Sequence, residues 1–154
     1  MESVKINGEI PLIIGYVERE AKTKDLVQKV YNLKCEHPEL VETIIKAIGS
    51  LVEEARKALH EGDLVRAGEL MNINHGLLDA LGVSTKKLSE LVYAARAMGA
   101  LGSKLSGAGG GGSMIALASK EKIAEVASAI KILGGRVIDT TIGGEGLVYE
   151  KIEK

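Results

Sequence analysis

The sequence has 154 residues, a formal net charge of −1 at pH 7 and a pI of about 6.3. Hydrophobic residues make up 45% and charged residues 27%, as in an ordinary globular domain. The balanced charge disfavours a nucleic-acid binder that depends on a basic surface, and no apolar run approaches the ~20 residues of a membrane-spanning helix. A single cysteine, Cys35, excludes an internal disulfide. Since the first residues also show no secretory leader, we expect a cytoplasmic protein.

The amino-terminal residues predict a β-hairpin. Its strands are Ser3–Ile6 and Glu9–Gly15, and its turn is Asn7-Gly8, a pair that readily adopts the positive φ angles of a type I′ turn. Pro11 has no N–H group to donate, so we expect it at a sheet edge or at a bulge.

Four helices are predicted between Thr23 and Gly99. Apolar residues recur there at spacings of three and four, which places them along one face of each helix. Gly82 is expected to end the third helix, because glycine tolerates the left-handed conformation that follows many helices. Thr23 is the predicted N-cap of the first helix, Pro38 lies in the first turn of the second, Asp63 caps the third, and Ser84 or Thr85 starts the fourth.

The remaining residues alternate between strands and glycine-rich connections. A helix with Ser119 as its N-cap is expected to stop at Gly134-Gly135. The predicted strands are Ser103–Ser106, Ser113–Ala118, Arg136–Thr141 and Leu147–Ile152, the last two joined by Gly143–Gly146. Strands joined by short connections pair antiparallel. The pattern predicts one α+β domain over residues 1–154, with a ferredoxin-like antiparallel sheet and a helical layer.

The run of glycines at positions 107–112 is the most informative feature of the sequence. It is not a Walker-type phosphate loop, because Ser113 and Met114 stand where that motif needs a lysine and a hydroxyl residue. Gly107, Gly109 and Gly112 match a dinucleotide fingerprint, but that fingerprint needs a helix directly after the loop. The segment that follows reads as a strand.

Two interpretations of this run remain open from its chemistry. It is either a long flexible turn between strands or a place where an anion approaches the backbone closely. Ordering glycine costs roughly 0.5–1 kcal/mol relative to alanine, so a simple turn does not need so many. Successive N–H groups without Cβ atoms can instead form an anion-binding nest.

A wider resemblance is carried by four segments. Lys104–Gly112 (KLSGAGGGG) resembles the carboxy-terminal glycine motif of the GHMP kinases, the small-molecule kinases that include galactokinase, homoserine kinase, mevalonate kinase and phosphomevalonate kinase. Met71–Ser84 (MNINHGLLDALGVS) and Ala94–Ala100 (AARAMGA) resemble the mevalonate kinase branch of that family. So does Pro11–Gly15 with the later Thr23-Lys24. The resemblance covers nearly the whole chain.

The resemblance implies a kinase that phosphorylates the hydroxyl of mevalonate with ATP and Mg²⁺, an early step of isoprenoid synthesis. In that family the glycine loop closes over the phosphates in a cleft between two domains. Backbone N–H groups would then stabilise charge on the transferred phosphate, with help from a serine hydroxyl and a lysine. The residues expected near the phosphates are Lys104, Ser106, Gly107, Ala108, Gly109 and Gly110.

A second group of site residues lies in the third predicted helix. Asn72, His75 and Asp79 share one helix face. The resemblance implies that Asn72, Asn74 and His75 lie near the substrate, whereas His75 could equally belong to a hydrogen-bond network of the fold. No catalytic residue and no metal ligand is assigned in this sequence.

Other motifs of the family have no match. The nucleotide loop of the type Pro-x-x-x-Gly-Leu-Gly-Ser-Ser-Ala does not occur, nor do the segments with the amino-terminal lysine, the catalytic aspartate and the magnesium ligand. We therefore expect the carboxy-terminal half of a kinase whose ATP-binding domain is missing, and no turnover by this chain alone. The expected partners are mevalonate, ATP and the missing domain in cis or in trans. A homodimer, or a monomer prone to self-association, is also expected, because the face turned to the missing domain should be partly apolar.

Two alternatives stay open. One is a related GHMP kinase that acts on phosphomevalonate or another alcohol. The other is a non-catalytic domain of the same fold that binds a small molecule.

Overall fold

The computed structural model describes residues 10–138. The elements are β1 (Leu12–Val17), α1 (Thr23–Glu36), α2 (Pro38–Glu61), α3 (Leu64–Ala80), α4 (Lys86–Ala97), β2 (Gly102–Leu105), β3 (Gly112–Leu117), α5 (Ile123–Ile132) and β4 (Arg136–Ile138). The four predicted helices are confirmed, as are the strands on either side of the glycine run. The predicted hairpin turn Asn7-Gly8 and the predicted strand Leu147–Ile152 lie outside the described residues.

The described strands form one antiparallel sheet in the order β2-β3-β1-β4. This confirms the predicted α+β class with an antiparallel sheet. β1 is an inner strand, so the prediction that Pro11 lies at a sheet edge or a bulge was wrong. Pro11 instead precedes the first residue of β1, where a missing N–H group interrupts no ladder bond. Its carbonyl accepts a hydrogen bond from the Ala118 amide at 3.2 Å.

One face of the sheet holds the main core. Alternate residues of β1 and β3, such as Ile13 and Met114, are buried there. They pack against the apolar faces of α4 and α5, including Leu91, Val92 and Ile130, which are also buried. Because side chains alternate across a strand, this alternation follows directly from the period-two pattern of the sequence.

Two predicted helix caps are confirmed and two are wrong. The Asp63 carboxylate accepts from the Arg66 amide at 2.9 Å, and the Thr85 hydroxyl accepts from the Leu88 amide at 3.2 Å. Thr23 is the first residue of α1 rather than its cap. Ser119 precedes a short 3₁₀ turn, Lys120–Lys122, and α5 begins only after that turn. Gly82 follows α3 with φ of +71°, as predicted.

Helix α3 lies against β2, the strand at the edge of the sheet. The contact is close because Gly68 of α3 meets Leu101 and Gly102, and a Cβ atom on either glycine would overlap the opposing backbone. The edge of β2 is therefore covered by a helix, which is one way in which proteins protect an unpaired strand. This arrangement brings Asn72 and His75 of α3 to the strand that enters the glycine run.

Candidate functional site

The glycine loop joins β2 to β3 and has a conformation that requires glycine. Five of its glycines have positive φ angles, namely Gly107, Gly109, Gly110, Gly111 and Gly112. L-residues rarely adopt this backbone conformation, so the run is not an interchangeable turn. The predicted loop between two strands is therefore confirmed, and its local shape explains the number of glycines.

One half of the loop, Gly109–Gly112, is held by its neighbours. The Gly110 amide donates to the Val83 carbonyl at 2.8 Å, and the Gly110 carbonyl accepts from the amides of Glu20 and Ala21 at 2.8 and 3.2 Å. A Cβ atom on Gly109 would overlap the carbonyl oxygen of Val83. We call Gly109–Gly112 the clamped half of the loop.

The other half, Ser106–Ala108, is open. Gly107 is exposed, and no atom lies within 4 Å of the position that its Cβ would take. The amides of Gly107 and Ala108 donate no hydrogen bond to any group in the described part of the chain. We call Ser106–Ala108 the open half. Two adjacent free N–H groups in a glycine turn are the arrangement that binds an oxyanion.

The predicted phosphate-proximal side chains flank the open half. The Ser106 amide donates to the Ser113 carbonyl at 2.9 Å, and Ser106 is half-buried. The Lys104 ammonium donates to the Leu105 carbonyl at 2.8 Å, and burial lowers the pKa of this lysine. The predicted residues Lys104 to Gly110 thus span the end of β2 and the loop, but the Gly110 amide already donates to the Val83 carbonyl. Their contact with phosphate stays a prediction.

The polar face of α3 pairs with the free edge of β2. The Ser103 amide donates to Asn72 Oδ1 at 3.0 Å, and the Leu105 amide donates to His75 Nδ1 at 3.4 Å. Asn72 Nδ2 also donates to the Leu101 carbonyl at 3.3 Å. Alternate amides of an edge strand point away from the sheet, so Asn72 and His75 satisfy groups that no strand pairs.

His75 is fully buried in this arrangement, at 0% exposure. Burial is the main cause that lowers its pKa, and the positive charges of Arg96 and Lys104 act in the same direction, against the smaller opposite effect of Asp79. The imidazole is therefore neutral at pH 7. Its Nε2 atom has no hydrogen-bond partner in the described residues. The Tyr93 ring meets it edge to face, with centroids 6.1 Å apart.

A network that the sequence analysis missed continues from this point. Arg96 donates from Nε to the Ser103 hydroxyl at 3.2 Å and from Nη2 to the Ser103 carbonyl at 2.7 Å. The buried Ser103 hydroxyl donates to the Val92 carbonyl at 2.8 Å, and the Arg96 guanidinium lies 5.1 Å from the centroid of the Tyr93 ring. Arg96 in the amphipathic helix α4 was the available sequence signal for this network. It did not identify Ser103 as the partner, because Ser103 lies seven residues later, after a turn.

The other predicted residues of α3 are placed differently. Asn74 is half-buried and makes no hydrogen bond that the described residues show, and Asp79 is exposed. Of the three residues predicted to share one helix face, Asn72 and His75 both accept hydrogen bonds from β2, whereas no such bond is shown for Asp79. Whether Asn72, Asn74 and His75 lie near a substrate stays a prediction.

The fold and the loop define a class of protein. The family model described as GHMP kinases C terminal matches residues 55–135, which include α3, α4, the glycine loop and α5. The chain therefore belongs to the GHMP kinase family, as its carboxy-terminal domain.

Within this family, the chain is similar over most of its length to proteins named mevalonate kinase. The mevalonate kinase of Pyrococcus abyssi is 52% identical over 151 residues, which are 95% of this chain and 45% of that protein. The mevalonate kinase of Thermococcus onnurineus is 54% identical over 149 residues, 94% of this chain and 44% of that protein. The chain thus spans less than half the length of these curated relatives.

Solved structures agree in fold. The crystal structure of Leishmania major mevalonate kinase in complex with R-mevalonate superposes with a TM-score of 0.81. The identity is 32%, and the match covers 85% of this chain and 40% of that one.

None of the helices between residues 10 and 138 is long and apolar enough to cross a membrane. The same residues contain no cluster of three or more histidine, cysteine, aspartate or glutamate side chains that could hold a metal ion.

Proposed function

We propose that this chain is the carboxy-terminal part of a mevalonate kinase, which transfers the γ-phosphoryl group of ATP to the hydroxyl of mevalonate. The observation that carries the proposal is the open half of the glycine loop, where the amides of Gly107 and Ala108 donate no hydrogen bond within the described residues and Gly107 is exposed. The names of the relatives, at 52% and 54% identity, support mevalonate as the substrate class.

The loop would act on the phosphates through its backbone. Free N–H groups at Gly107 and Ala108 would donate to phosphate oxygens, and the Ser106 hydroxyl would add a third donor. The clamped half fixes one end of the loop before the substrate arrives, and β2 fixes the other end. Donors that need no rearrangement stabilise developing charge best, because no reorganisation is needed at the moment of reaction.

Lys104 would add positive charge behind the loop. Its ammonium is partly buried and already donates to the Leu105 carbonyl. It therefore has a defined position, and a charge in a partly buried place acts more strongly than one in water.

The donor set also bears on the metal that accompanies ATP. The loop offers N–H and ammonium groups, which suit phosphate oxygens, whereas Mg²⁺ prefers carboxylate and water oxygens. This part of the site therefore fits the phosphates and not the cation. We assign no metal ligand in this chain. The Mg²⁺ that the family uses would be held by residues outside it and would neutralise charge on the phosphates.

The remaining parts of the site would come from an amino-terminal domain. The chain matches under half of each relative's length, and the nucleotide-loop motif has no match in its sequence. Since phosphoryl transfer depends on positioning and charge stabilisation from several groups, this chain alone would show little turnover.

The test is a coupled ADP-release assay with mevalonate and MgATP. The chain is assayed alone, and then mixed with the amino-terminal half of the Pyrococcus abyssi mevalonate kinase, with phosphomevalonate as a second substrate. We expect ADP release only in the mixture and with mevalonate. ADP release with phosphomevalonate but not with mevalonate would assign a different substrate. Strong ADP release by the chain without the amino-terminal half would contradict the proposal that the site is divided between two domains.

A matched pair of variants sharpens this assay. Ala108→Asp places a negative charge in the open half without backbone strain, because Ala108 does not have a positive φ angle. Ala124→Asp places the same charge at the exposed start of α5. We expect the first to lose roughly a hundred-fold in rate and the second to keep the wild-type rate. Equal rates for the two would remove the loop from the mechanism.

A further inference from the structure

The two halves of the glycine loop are anchored from different sides. The clamped half is held by Val83 and by the backbone of Glu20 and Ala21. No backbone hydrogen bond joins Val83, Glu20 or Ala21 to the open half. The open half is anchored through β2, by the Ser106 amide on β3 and by the Leu105 amide on His75. Only the second of these anchors comes from a side chain.

The His75 side chain is well suited to this purpose. It is fully buried, it comes from a helix that packs closely on β2, and it meets the amide of the last residue of β2. A buried amide at a strand edge must find an acceptor, and a short ring in a close-packed site offers one with little freedom.

The hydrogen bond also decides the tautomer. Because Nδ1 accepts from the Leu105 amide, the proton of the neutral ring must be on Nε2. That atom is buried without a partner in the described residues. The site thus tolerates an unsatisfied donor, which normally costs stability, in order to present an acceptor to Leu105.

We propose that His75 is a positioning residue for the phosphate loop: its Nδ1 atom holds the Leu105 amide and thereby sets the position of the free amides at Gly107 and Ala108. It does so from within the fold and without touching a substrate. The inference deepens the proposed function and rests on it for the ligand, although the mechanical link from His75 to the open half can be tested without any ligand.

The link has a consequence for pH. A protonated imidazole has no acceptor, so protonation breaks the bond to Leu105. The charged groups that face His75 are Arg96 of α4, Lys104 of β2 and Asp79 of its own helix, with the Tyr93 ring against it. Burial and then the Arg96 charge lower the pKa of His75 below its ordinary value, so the ring is neutral at pH 7 and the open half should keep its position there.

The first experiment follows backbone amides of the complete 154-residue chain by ¹⁵N NMR, without ligand. His75→Leu removes the acceptor and keeps an apolar side chain in the site. His75→Asn keeps an acceptor, because Oδ1 can take the place of Nδ1. We expect His75→Leu to shift the amides of Ser106, Gly107 and Ala108, and His75→Asn to restore much of the wild-type pattern. Unchanged open-half amides in a folded His75→Leu chain would overturn the proposal.

Asn72 provides the matched control. Asn72→Leu removes the acceptor of the Ser103 amide, two residues further from the loop. We expect it to disturb β2 but to shift the open half less than His75→Leu does. If both variants shift the open half equally, the effect is a general loosening of β2 and the specific role of His75 is wrong.

A pH titration of the wild-type chain keeps the proposal testable if a variant does not fold. The imidazole nitrogens report the tautomer and the protonation of His75. We expect the Nε2–H tautomer at pH 7, and Leu105 to Ala108 amides that move in step with His75 as pH falls. A protonated His75 with unmoved open-half amides would refute the link.

Tripolyphosphate, added to the same samples, separates this inference from the proposed function. We expect it to bind the wild-type loop, and His75→Leu to weaken that binding roughly ten-fold, since small misplacements of donors carry such costs. If tripolyphosphate does not bind the wild type, the proposed function loses its main support, while the ligand-free shifts still decide the role of His75. If it binds both equally, the positioning role is wrong and the phosphate site stands.

Discussion

The two halves of the glycine loop differ in what their glycines do. In the clamped half, Gly109 and Gly111 leave no room for a Cβ atom, because the carbonyls of Val83 and Glu18 lie where it would be. In the open half, Gly107 faces empty space and its amide is free. One run of similar residues thus combines an observed packing role in one half with a proposed binding role in the other, and the packed half fixes one end of the loop.

The largest expected effect is on the clamped half. Gly109→Ala would force the Val83 carbonyl aside and would place alanine at a φ of +83°. We expect a loss of about 3 kcal/mol or more in the free energy of unfolding, since strain and overlap add. Urea denaturation measures this loss. A cost below about 1 kcal/mol would show that the clamp yields easily.

A smaller effect is expected from pH. The folded-state pKa of His75 lies below its ordinary value, so the unfolded chain binds the proton first as pH falls. The stabilisation from neutral His75 is therefore complete above about pH 6.5 and is lost below it, by about 1.4 kcal/mol per pH unit until the folded pKa is reached.

His75→Asn is the control for this prediction, because it keeps an acceptor and does not titrate. The difference in unfolding free energy between the wild type and His75→Asn should shrink as pH falls below 6.5, in favour of the variant. Parallel pH profiles of the two chains would show that His75 does not carry the dependence.

The smallest effect is expected in the open half. Gly107→Ala meets no neighbour, and only the φ of +81° opposes it. We expect a loss of about 1 kcal/mol, well below that of Gly109→Ala. Denaturation of both variants under the same conditions measures the contrast, and equal losses would remove the distinction between the two halves.

Much of the fold could be predicted from local signals. Asp63 and Thr85 cap helices because their side chains reach amides three residues on, and Gly82 ends a helix because of its own backbone freedom. The prediction was wrong for Pro11, since the position of a strand within a sheet depends on partners such as Leu117 that are distant in sequence. It was wrong for Thr23 and Ser119 by the one to three residues within which helix starts commonly vary.

The position of the glycine loop could be predicted from the sequence, whereas its contacts could not. The glycines do lie in a connection between two strands, as predicted. However, the motif could not show that Gly110 gives its amide to Val83, or that Asn72 and His75 pair with the edge of β2. These contacts join segments that are 27 to 31 residues apart, so they depend on tertiary packing: that of α3 on β2 for Asn72 and His75, and that of the segment after α3 on the loop for Val83.

The central claim is that the open half of the loop binds phosphate while the clamped half supports it. The most direct measurement is a ¹⁵N NMR titration of the wild-type chain with tripolyphosphate at pH 7 and low salt. The account predicts large, saturable shifts at the Gly107 and Ala108 amides, and small shifts at Gly110 and Gly111. Shifts centred on another part of the chain, or none in the loop at all, would contradict it.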